Sequence, residues 1–132
     1  MILVDSSAWI EYLRATGSPA NHRLHALIAG EQELATSEPI VMEVLAGARD
    51  EVHLLRLRRL LARPRLLPVG GLAEFEEAAD AYRRCRRAGE TIRSLTDCLI
   101  AAVAVRNDVE LLHSDRDFEA LARHLPLRLA AT

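Results

Sequence analysis

Short apolar runs alternate along the chain with longer segments in which apolar residues recur at helical spacing. The short runs are typical of strands buried on both faces, and they lie at residues 2–4, 34–36, 66–69, 110–113 and 127–130. The longer segments predict helices at residues 6–13, 21–29, 38–46, 51–62, 72–88, 95–106 and 117–124. This alternation of strands and helices predicts a parallel sheet covered by helices on both faces.

Residues that interrupt regular structure support several of these boundaries. Glycine follows three of the predicted helices, at Gly30, Gly47 and Gly89, where it is favoured at a helix C-terminus. Ser37 is suited to cap the third helix. The segment 95–106 is apolar around nearly its whole circumference, which predicts a central, buried helix.

Length and composition indicate one globular domain. The chain has 132 residues, close to the usual size of a single domain, and we expect residues 1–132 to form one. The longest apolar run, residues 99–105, is too short to cross a membrane. The two cysteines, Cys85 and Cys98, lack the spacing of a zinc site. We therefore expect reduced thiols in a cytoplasmic protein without a membrane segment.

The charges exclude some chemistry and suggest a partner. All 17 basic residues are arginine, which excludes Schiff-base catalysis and the phosphate-binding lysine of P-loop proteins. The net charge is −2, but residues 53–93 hold ten arginines against five acids. The remaining chain is acidic. A basic segment of this kind can attract a polyanion such as a nucleic-acid backbone.

Acidic residues stand at places where a structural role explains them only in part. Asp5 and Asp115 follow predicted strands, with Asp117 two residues further on, whereas Glu43 and Asp97 lie in otherwise apolar helical segments. Each has a structural alternative. The aspartates can cap helices or begin turns, and the glutamate can pair with an arginine. Because the carboxyl ends of parallel strands meet at one edge, we expect these acids to lie together.

Carboxylates gathered in this way repel one another, and their pKa values rise unless a positive charge lies among them. No lysine is present, and a divalent cation fits a set of oxygen ligands better than an arginine does. Carboxylates and water select Mg²⁺ or Mn²⁺. Such cations bind phosphates and activate water, so hydrolysis of a phosphodiester is the reaction that we expect.

The order and spacing of the acids resemble those of the PIN-domain ribonucleases, in particular the VapC-type toxins of bacterial toxin–antitoxin pairs. MILVDSSAWIEYL resembles the first family motif, PIVMEVLAG the second, and RSLTDCLIAAVAVRNDVELLHSDRDFEAL the third and fourth together. The resemblance covers residues 1–121. The family's acidic positions fall on Asp5, Glu43, Asp97, Asp115 and Asp117.

The resemblance implies a fold, an activity and partners. The fold is a three-layer α/β/α arrangement around a five-stranded parallel sheet. The activity is Mg²⁺- or Mn²⁺-dependent endonucleolytic cleavage of cellular RNA, with transfer RNA and ribosomal RNA as the candidate targets. The partners are a cognate VapB-type antitoxin that covers the acidic site, and a second copy of the toxin in a homodimer.

The resemblance also implies roles for single residues. Asp5 and Asp97 are direct metal ligands, and Asp115 ligates directly or through water. Glu43 holds a water molecule or a second ion, and Asp117 is either a ligand or a supporting residue. The supporting hydroxyls are Ser7 and Ser114, the second of which stands where a threonine is common in the family.

One single arginine and one cluster of arginines each have two possible roles. Arg93 lies four residues before Asp97, where it can neutralise the site or contact a phosphate. Arg83, Arg84 and Arg87 form a dense basic run, which is either a solvated helix face or an RNA contact.

Other functions remain to be distinguished. A housekeeping PIN nuclease in RNA processing and a non-catalytic PIN-like module that binds RNA or protein are the alternatives. A phosphatase of similar topology is disfavoured, because Ser7 stands where such an enzyme needs a second aspartate.

Overall fold

The computed structural model describes residues 1–132 and contains four strands and seven helices. The strands are β1 (Ile2–Val4), β2 (Leu34–Thr36), β3 (Arg65–Leu66) and β4 (Glu110–Leu112). The helices are α1 (Ser6–Leu13), α2 (Pro19–Ala29), α3 (Glu38–Ala46), α4 (Glu51–Leu61), α5 (Gly71–Arg87), α6 (Leu95–Asn107) and α7 (Arg116–His124).

The strands form one parallel sheet in the order β3-β2-β1-β4. The central strand, β1, is buried along its whole length, and Leu3 lies opposite Ala35 on one side and Leu111 on the other. An all-apolar strand suits this place because helices cover both of its faces. All four strands point the same way, so their carboxyl ends meet at one edge.

The prediction of five strands is wrong in one detail, since residues 127–130 do not form a strand. Leu129 makes a single parallel bridge to Leu111. The Leu111 N–H donates to Arg128 O at 2.9 Å, and the Ala130 N–H donates to Leu111 O at 2.8 Å. Leu127 and Ala130 are buried. The apolar run therefore indicated burial correctly, but burial does not require an extended hydrogen-bond ladder.

The strand predicted at residues 66–69 is also shorter, and it lies at Arg65–Leu66. Pro68 has no N–H to donate to a ladder.

Ser37 occupies the N-cap position of α3, but its hydroxyl donates to Glu38 Oε1 at 3.4 Å and makes no capping bond. The predicted position of the N-cap is therefore confirmed, but the predicted side-chain capping bond does not form. Helix α2 begins at Pro19, because the Ser18 hydroxyl caps it.

The helices form two groups, and the sheet lies between them. Helices α1–α4 pack against one another, as do α5–α7, while α3 also contacts α6. This confirms the three-layer α/β/α prediction. Helix α6 is buried over most of its length, as its apolar circumference predicted. Both cysteines are buried and free. None of the seven helices has the length and hydropathy that spanning a membrane requires.

An ion pair between buried Glu74 and half-exposed Arg106 joins α5 to α6 away from the carboxyl edge. The Glu74 side chain is 4% exposed. Arg106 donates to it through Nε at 2.5 Å and through Nη2 at 3.0 Å, and also donates to Pro68 O at 2.6 Å. The Gly70 N–H donates to the same carboxylate at 3.0 Å. The pair therefore ties both helices to the loop that follows β3.

We expect Arg106→Ala to destabilise the protein by about 2–3 kcal/mol, because it leaves the buried Glu74 charge without its partner. Urea unfolding at pH 7 measures this change. The matched control is Arg84→Ala, which removes an exposed pair with Asp80 and should cost less than about 0.5 kcal/mol. Equal costs in the two variants would show that the pair with buried Glu74 contributes no more than an exposed pair.

Candidate active site

Four of the five predicted acids come to the carboxyl edge through the strands and helices that meet there. Asp5 directly follows β1, Asp115 is the N-cap of α7, and Asp97 lies in the first turn of α6. Asp97, Asp115 and Asp117, here called the three-Asp group, each offer a carboxylate oxygen within 4.8 Å of the others. The clustering expected from the strand order is therefore observed.

The two oxygens of Asp5 have different surroundings. Its Oδ2 accepts from the Ser7 N–H at 2.9 Å and from the Ser7 hydroxyl at 2.5 Å, which caps α1. Its Oδ1 is buried and has no hydrogen-bond partner. The capping interpretation and the ligand interpretation are thus compatible, because each concerns a different oxygen.

The two predicted hydroxyls differ in what they contact. The Ser7 hydroxyl accepts from the Ser114 N–H at 2.9 Å, so it joins the segments that follow β1 and β4 while it holds Asp5. The Ser114 hydroxyl donates to Glu11 Oε1 at 3.2 Å. Ser114 therefore supports the site through its backbone, and its side chain bonds to α1.

Asp97 is the most strongly perturbed acid. Its side chain is buried, and its Oδ2 has no hydrogen-bond partner. Burial raises the pKa of Asp97 to about 9, and the hydrogen bond with Asp117 and the charges of Asp5 and Asp115 add to the effect. The pKa of Asp5 rises to about 6, mainly through burial and partly through the charge of Glu43, although its bonds to Ser7 oppose this. Both carboxylates lack a compensating positive charge.

Glu43 lies beside these acids on α3. Its Oε1 accepts from the Ser6 hydroxyl at 3.2 Å. Burial raises the pKa of Glu43, and the charge of Asp115 raises it further. No arginine pairs with Glu43, so the ion pair considered as its structural alternative does not form.

Both the carboxylate and the backbone N–H of Asp117 make hydrogen bonds within the protein. Its Oδ2 accepts from the backbone N–H groups of Arg93 and Ser94, at 3.1 and 3.2 Å. Its own N–H donates to Asp115 Oδ1 at 2.9 Å, which caps α7. Asp117 therefore anchors the start of α6 to the start of α7, which fits the supporting role better than that of a principal ligand.

The predicted arginines separate into two places. The Arg93 guanidinium donates to Asp115 Oδ1 at 3.2 Å, so it lies at the acidic site. Arg83, Arg84 and Arg87 are exposed in the last turns of α5. Arg84 pairs with Asp80, and none of the three contacts the predicted acids. Both interpretations of this basic run remain open.

Two further residues support the site and were not predicted. Ser6 positions Glu43, and Glu11 receives the Ser114 hydroxyl. Glu11 lies one helical turn after Ser7, so helical spacing alone places it on the face of α1 that includes Ser7. The contact between Ser6 and Glu43 spans 37 residues of sequence, and no local pattern indicates it.

The donor set fits a hard divalent cation. Asp5 Oδ1 and Asp97 Oδ2 are buried oxygens without partners, and such atoms are costly unless something satisfies them. The surrounding donors are carboxylates, which suit Mg²⁺ and Mn²⁺ and do not favour a thiol- or imidazole-binding metal.

Comparison with known proteins agrees with this architecture. The PIN domain model matches residues 2–124. A VapC ribonuclease of Mycobacterium bovis and Ribonuclease VapC11 of Mycobacterium tuberculosis are each 46% identical over 132 residues, which cover 99% of this chain and 98% of the relative. The chain therefore belongs to the PIN-domain family, in its VapC branch.

Solved structures share the fold at much lower identity. VapBC2 from Rickettsia felis, bound to a DNA fragment from its promoter, matches with a TM-score of 0.76 and 17% identity, covering 98% of both chains. VapBC-1 from nontypeable Haemophilus influenzae matches with a TM-score of 0.74 and 18% identity, covering 98% of this chain and 97% of that one. At such identity the likeness concerns the fold alone.

In the cation-free protein, we expect the free energy of unfolding to fall as pH rises because of Asp97. The variant Asp97→Asn should not show this fall. Folding raises the pKa of Asp97 from 3.8 to about 9, so between these values the folded chain binds more protons than the unfolded chain. Its contribution to the free energy of unfolding therefore falls as pH rises. At pH 8 the variant should melt at least about 4 °C higher than the unchanged protein, a difference of roughly 1 kcal/mol.

Thermal melts in EDTA at pH 5 and pH 8 measure this difference. The control is Asp80→Asn, whose carboxylate is exposed and whose melting temperature should follow that of the unchanged protein at both pH values. If Asp97→Asn lost stability between pH 5 and pH 8 as steeply as the unchanged protein does, the burial of the Asp97 charge would not be the cause.

Proposed function

We propose that the chain is an endoribonuclease toxin of the VapC type, which hydrolyses phosphodiester bonds in cellular RNA at the acidic site. The observation that carries this proposal is the pair of buried, unpartnered oxygens on Asp5 and Asp97 beside Asp115 at the carboxyl edge of the sheet. Two relatives that are named ribonucleases support it, because they are 46% identical to this chain over nearly its whole length.

The cofactor in this proposal is Mg²⁺ or Mn²⁺. Asp5, Asp97 and Asp115 would hold it, and Asp117 would support them or contribute a further oxygen. When bound, such a cation neutralises the carboxylates, lowers the pKa of water and stabilises the charge on the leaving oxygen. Because the chain has no lysine and Arg93 pairs only with Asp115 and Asp117, a cation is the counter-charge that we propose for Asp5 and Asp97.

The side chains around this centre have separate tasks. Ser7 fixes the orientation of Asp5 through two hydrogen bonds. Ser6 fixes Glu43, whose raised pKa suits it to accept a proton from an attacking water molecule. Asp117 holds the backbone at the start of α6, which keeps Asp97 in place. We propose catalytic roles for Asp5, Glu43, Asp97 and Asp115 on this basis.

The proposed substrate is structured cellular RNA, with transfer RNA and ribosomal RNA as the candidates. Aromatic residues make up only 4% of the chain, so few platforms exist for stacking unpaired bases. Recognition would then depend on the RNA backbone and its shape, read by arginines. Arg83, Arg84 and Arg87 are exposed and are candidates for such contacts.

The proposed cellular setting is that of a toxin–antitoxin pair in the cytoplasm. The matched structures from Rickettsia felis and Haemophilus influenzae are VapBC assemblies. By analogy, we propose that a VapB-type antitoxin neutralises this chain by covering the acidic site.

A homodimer is the further proposed assembly. Four large apolar side chains, those of Met42, Leu72, Phe75 and Leu95, are each more than half exposed. Met42 and Phe75 line the same surface depression beside α6, and Leu72 lies one turn before Phe75. An exposed apolar patch of this kind indicates an interaction surface, and a second copy of the chain is the partner that we propose for it.

We expect Phe75→Glu to convert the dimer into a monomer, because it places a charge in the apolar interface. Size-exclusion chromatography with light scattering measures the mass. The matched control is Val52→Glu, which changes an apolar residue on α4 that is also more than half exposed and should leave the dimer intact. A monomeric unchanged protein at micromolar concentration would contradict the proposal.

The activity is tested by incubating the purified, antitoxin-free chain with total cellular RNA and Mg²⁺ or Mn²⁺. We expect discrete cleavage products that disappear in EDTA. Asp97→Asn should lower the rate of RNA cleavage by more than roughly 100-fold. Loss of a residue that only supports a metal ligand costs about 10–100-fold, and Asp97 is proposed as a ligand itself. Asp80→Asn, an exposed carboxylate change on α5, should retain full activity.

Different outcomes distinguish the alternatives. Cleavage that survives both EDTA and Asp97→Asn would overturn the metal-dependent mechanism. A folded chain that binds divalent cations but cleaves no RNA would favour a non-catalytic module. Cleavage confined to precursor RNA, without harm to growing cells, would favour a housekeeping nuclease in RNA processing.

A further inference from the structure

The loop between α5 and α6 is fastened to α7 at two points. Near its start, the Glu90 carboxylate pairs with Arg123 and His124 at the end of α7. These partners lower the pKa of Glu90 to about 2. At its end, the backbone N–H groups of Arg93 and Ser94 donate to Asp117. The backbone of Arg93 is therefore fixed at the edge of the acidic site.

The side chain of Arg93 reaches across the three-Asp group from this fixed backbone. Its Nη2 lies 3.2 Å from Asp115 Oδ1, and its Nε lies 3.5 Å from Asp117 Oδ1. It is the one basic side chain that pairs with this group. The Arg93 side chain is 64% exposed, so it has solvent into which it can turn.

A divalent cation and this guanidinium make competing demands on the same carboxylates. A cation held by Asp115 would share this carboxylate with the Arg93 guanidinium, which brings the two positive charges close together. Two positive charges at such a separation repel one another. Arg93 and the Asp117 N–H both donate to Asp115 Oδ1, so the competition concerns the charge of this carboxylate and does not require the cation to bind the same oxygen.

We propose that the Arg93 guanidinium competes with the divalent cation for the charge of Asp115. Binding of the cation is then coupled to release of the guanidinium from this carboxylate. This inference rests on the proposed metal-dependent function. In the cation-free protein, Arg93 balances part of the charge of the three-Asp group. When the cation binds, the guanidinium leaves Asp115, while the backbone bond from Arg93 to Asp117 remains.

Calorimetric titration of Mn²⁺ into the cation-free full chain tests the coupling. Arg93→Gln removes the guanidinium but keeps the backbone N–H that bonds to Asp117. We expect it to bind Mn²⁺ at least about 5-fold more tightly than the unchanged protein, the lower end of typical coupling between two ligands.

The matched control is Arg116→Gln. Arg116 is adjacent to Asp115 in sequence and exposed, and it makes no ion pair with the three-Asp group. This variant loses the same charge near the same site, and its affinity should change by less than about 2-fold, as expected for an exposed charge screened by salt. Equal gains in the two variants would show a general effect of net charge and would overturn the inference.

A second measurement follows the guanidinium directly. The Nε–H resonance of Arg93, identified by its absence from the spectrum of Arg93→Gln, is recorded while Mg²⁺ is added. We expect it to move with the same midpoint as cation binding and to approach the position of a solvated arginine. A resonance that does not respond while Mg²⁺ binds would overturn the inference.

The two proposals fail in distinguishable ways. If the unchanged protein binds Mn²⁺ and Arg93→Gln binds it no more tightly, the competition is absent and the metal site stands. If none of the three proteins binds Mn²⁺, the metal site and the competition are both wrong.

Discussion

The burial of mutually repelling carboxylates at the carboxyl edge of a parallel sheet is the constraint on which the site depends. The sheet brings the end of β1 beside the end of β4, and α6 adds a third acid, Asp97, close to the acids at both ends. Burial raises the pKa of Asp5 and Asp97, repulsion from neighbouring carboxylates adds to this rise, and no positive partner offsets it. The apolar core formed by the strands and α6 supplies the stability that this arrangement costs. The protein thus maintains an acidic site that favours a cation.

The α5–α7 layer positions this site through ion pairs that lie outside it. The Glu74 and Arg106 pair joins α5 to α6, and Glu90 joins the following loop to the end of α7. Asp117 completes the arrangement from the other end of α7 by holding the backbone before α6. Asp97 and Asp115 are therefore placed by elements that are tied together on two sides, and Arg93 is placed by the same bonds.

Periodicity predicted the positions of all seven helices and of four strands, because apolar residues must recur wherever an element packs on a core. It failed where burial and hydrogen bonding are separate. Leu127 and Ala130 are buried without belonging to a hydrogen-bond ladder. The strand predicted at residues 66–69 extends too far, because Pro68 has no N–H to continue the ladder of β3. Ser37 stands where a cap belongs, but its hydroxyl bonds to Glu38. A sequence pattern indicates which side chains are buried more reliably than which backbone groups are paired.

The sequence by itself indicated which acids gather and at which edge, because the alternation of apolar runs and helices predicts parallel strands whose carboxyl ends lie together. It also determined that lysine does not neutralise them. Only the tertiary structure decided what each oxygen does: that Asp5 uses Oδ2 for Ser7 and leaves Oδ1 free, and that Asp117 is occupied by backbone donors. These choices depend on side-chain orientation and on partners as distant in sequence as Ser7 and Ser114, which meet only when the chain has folded.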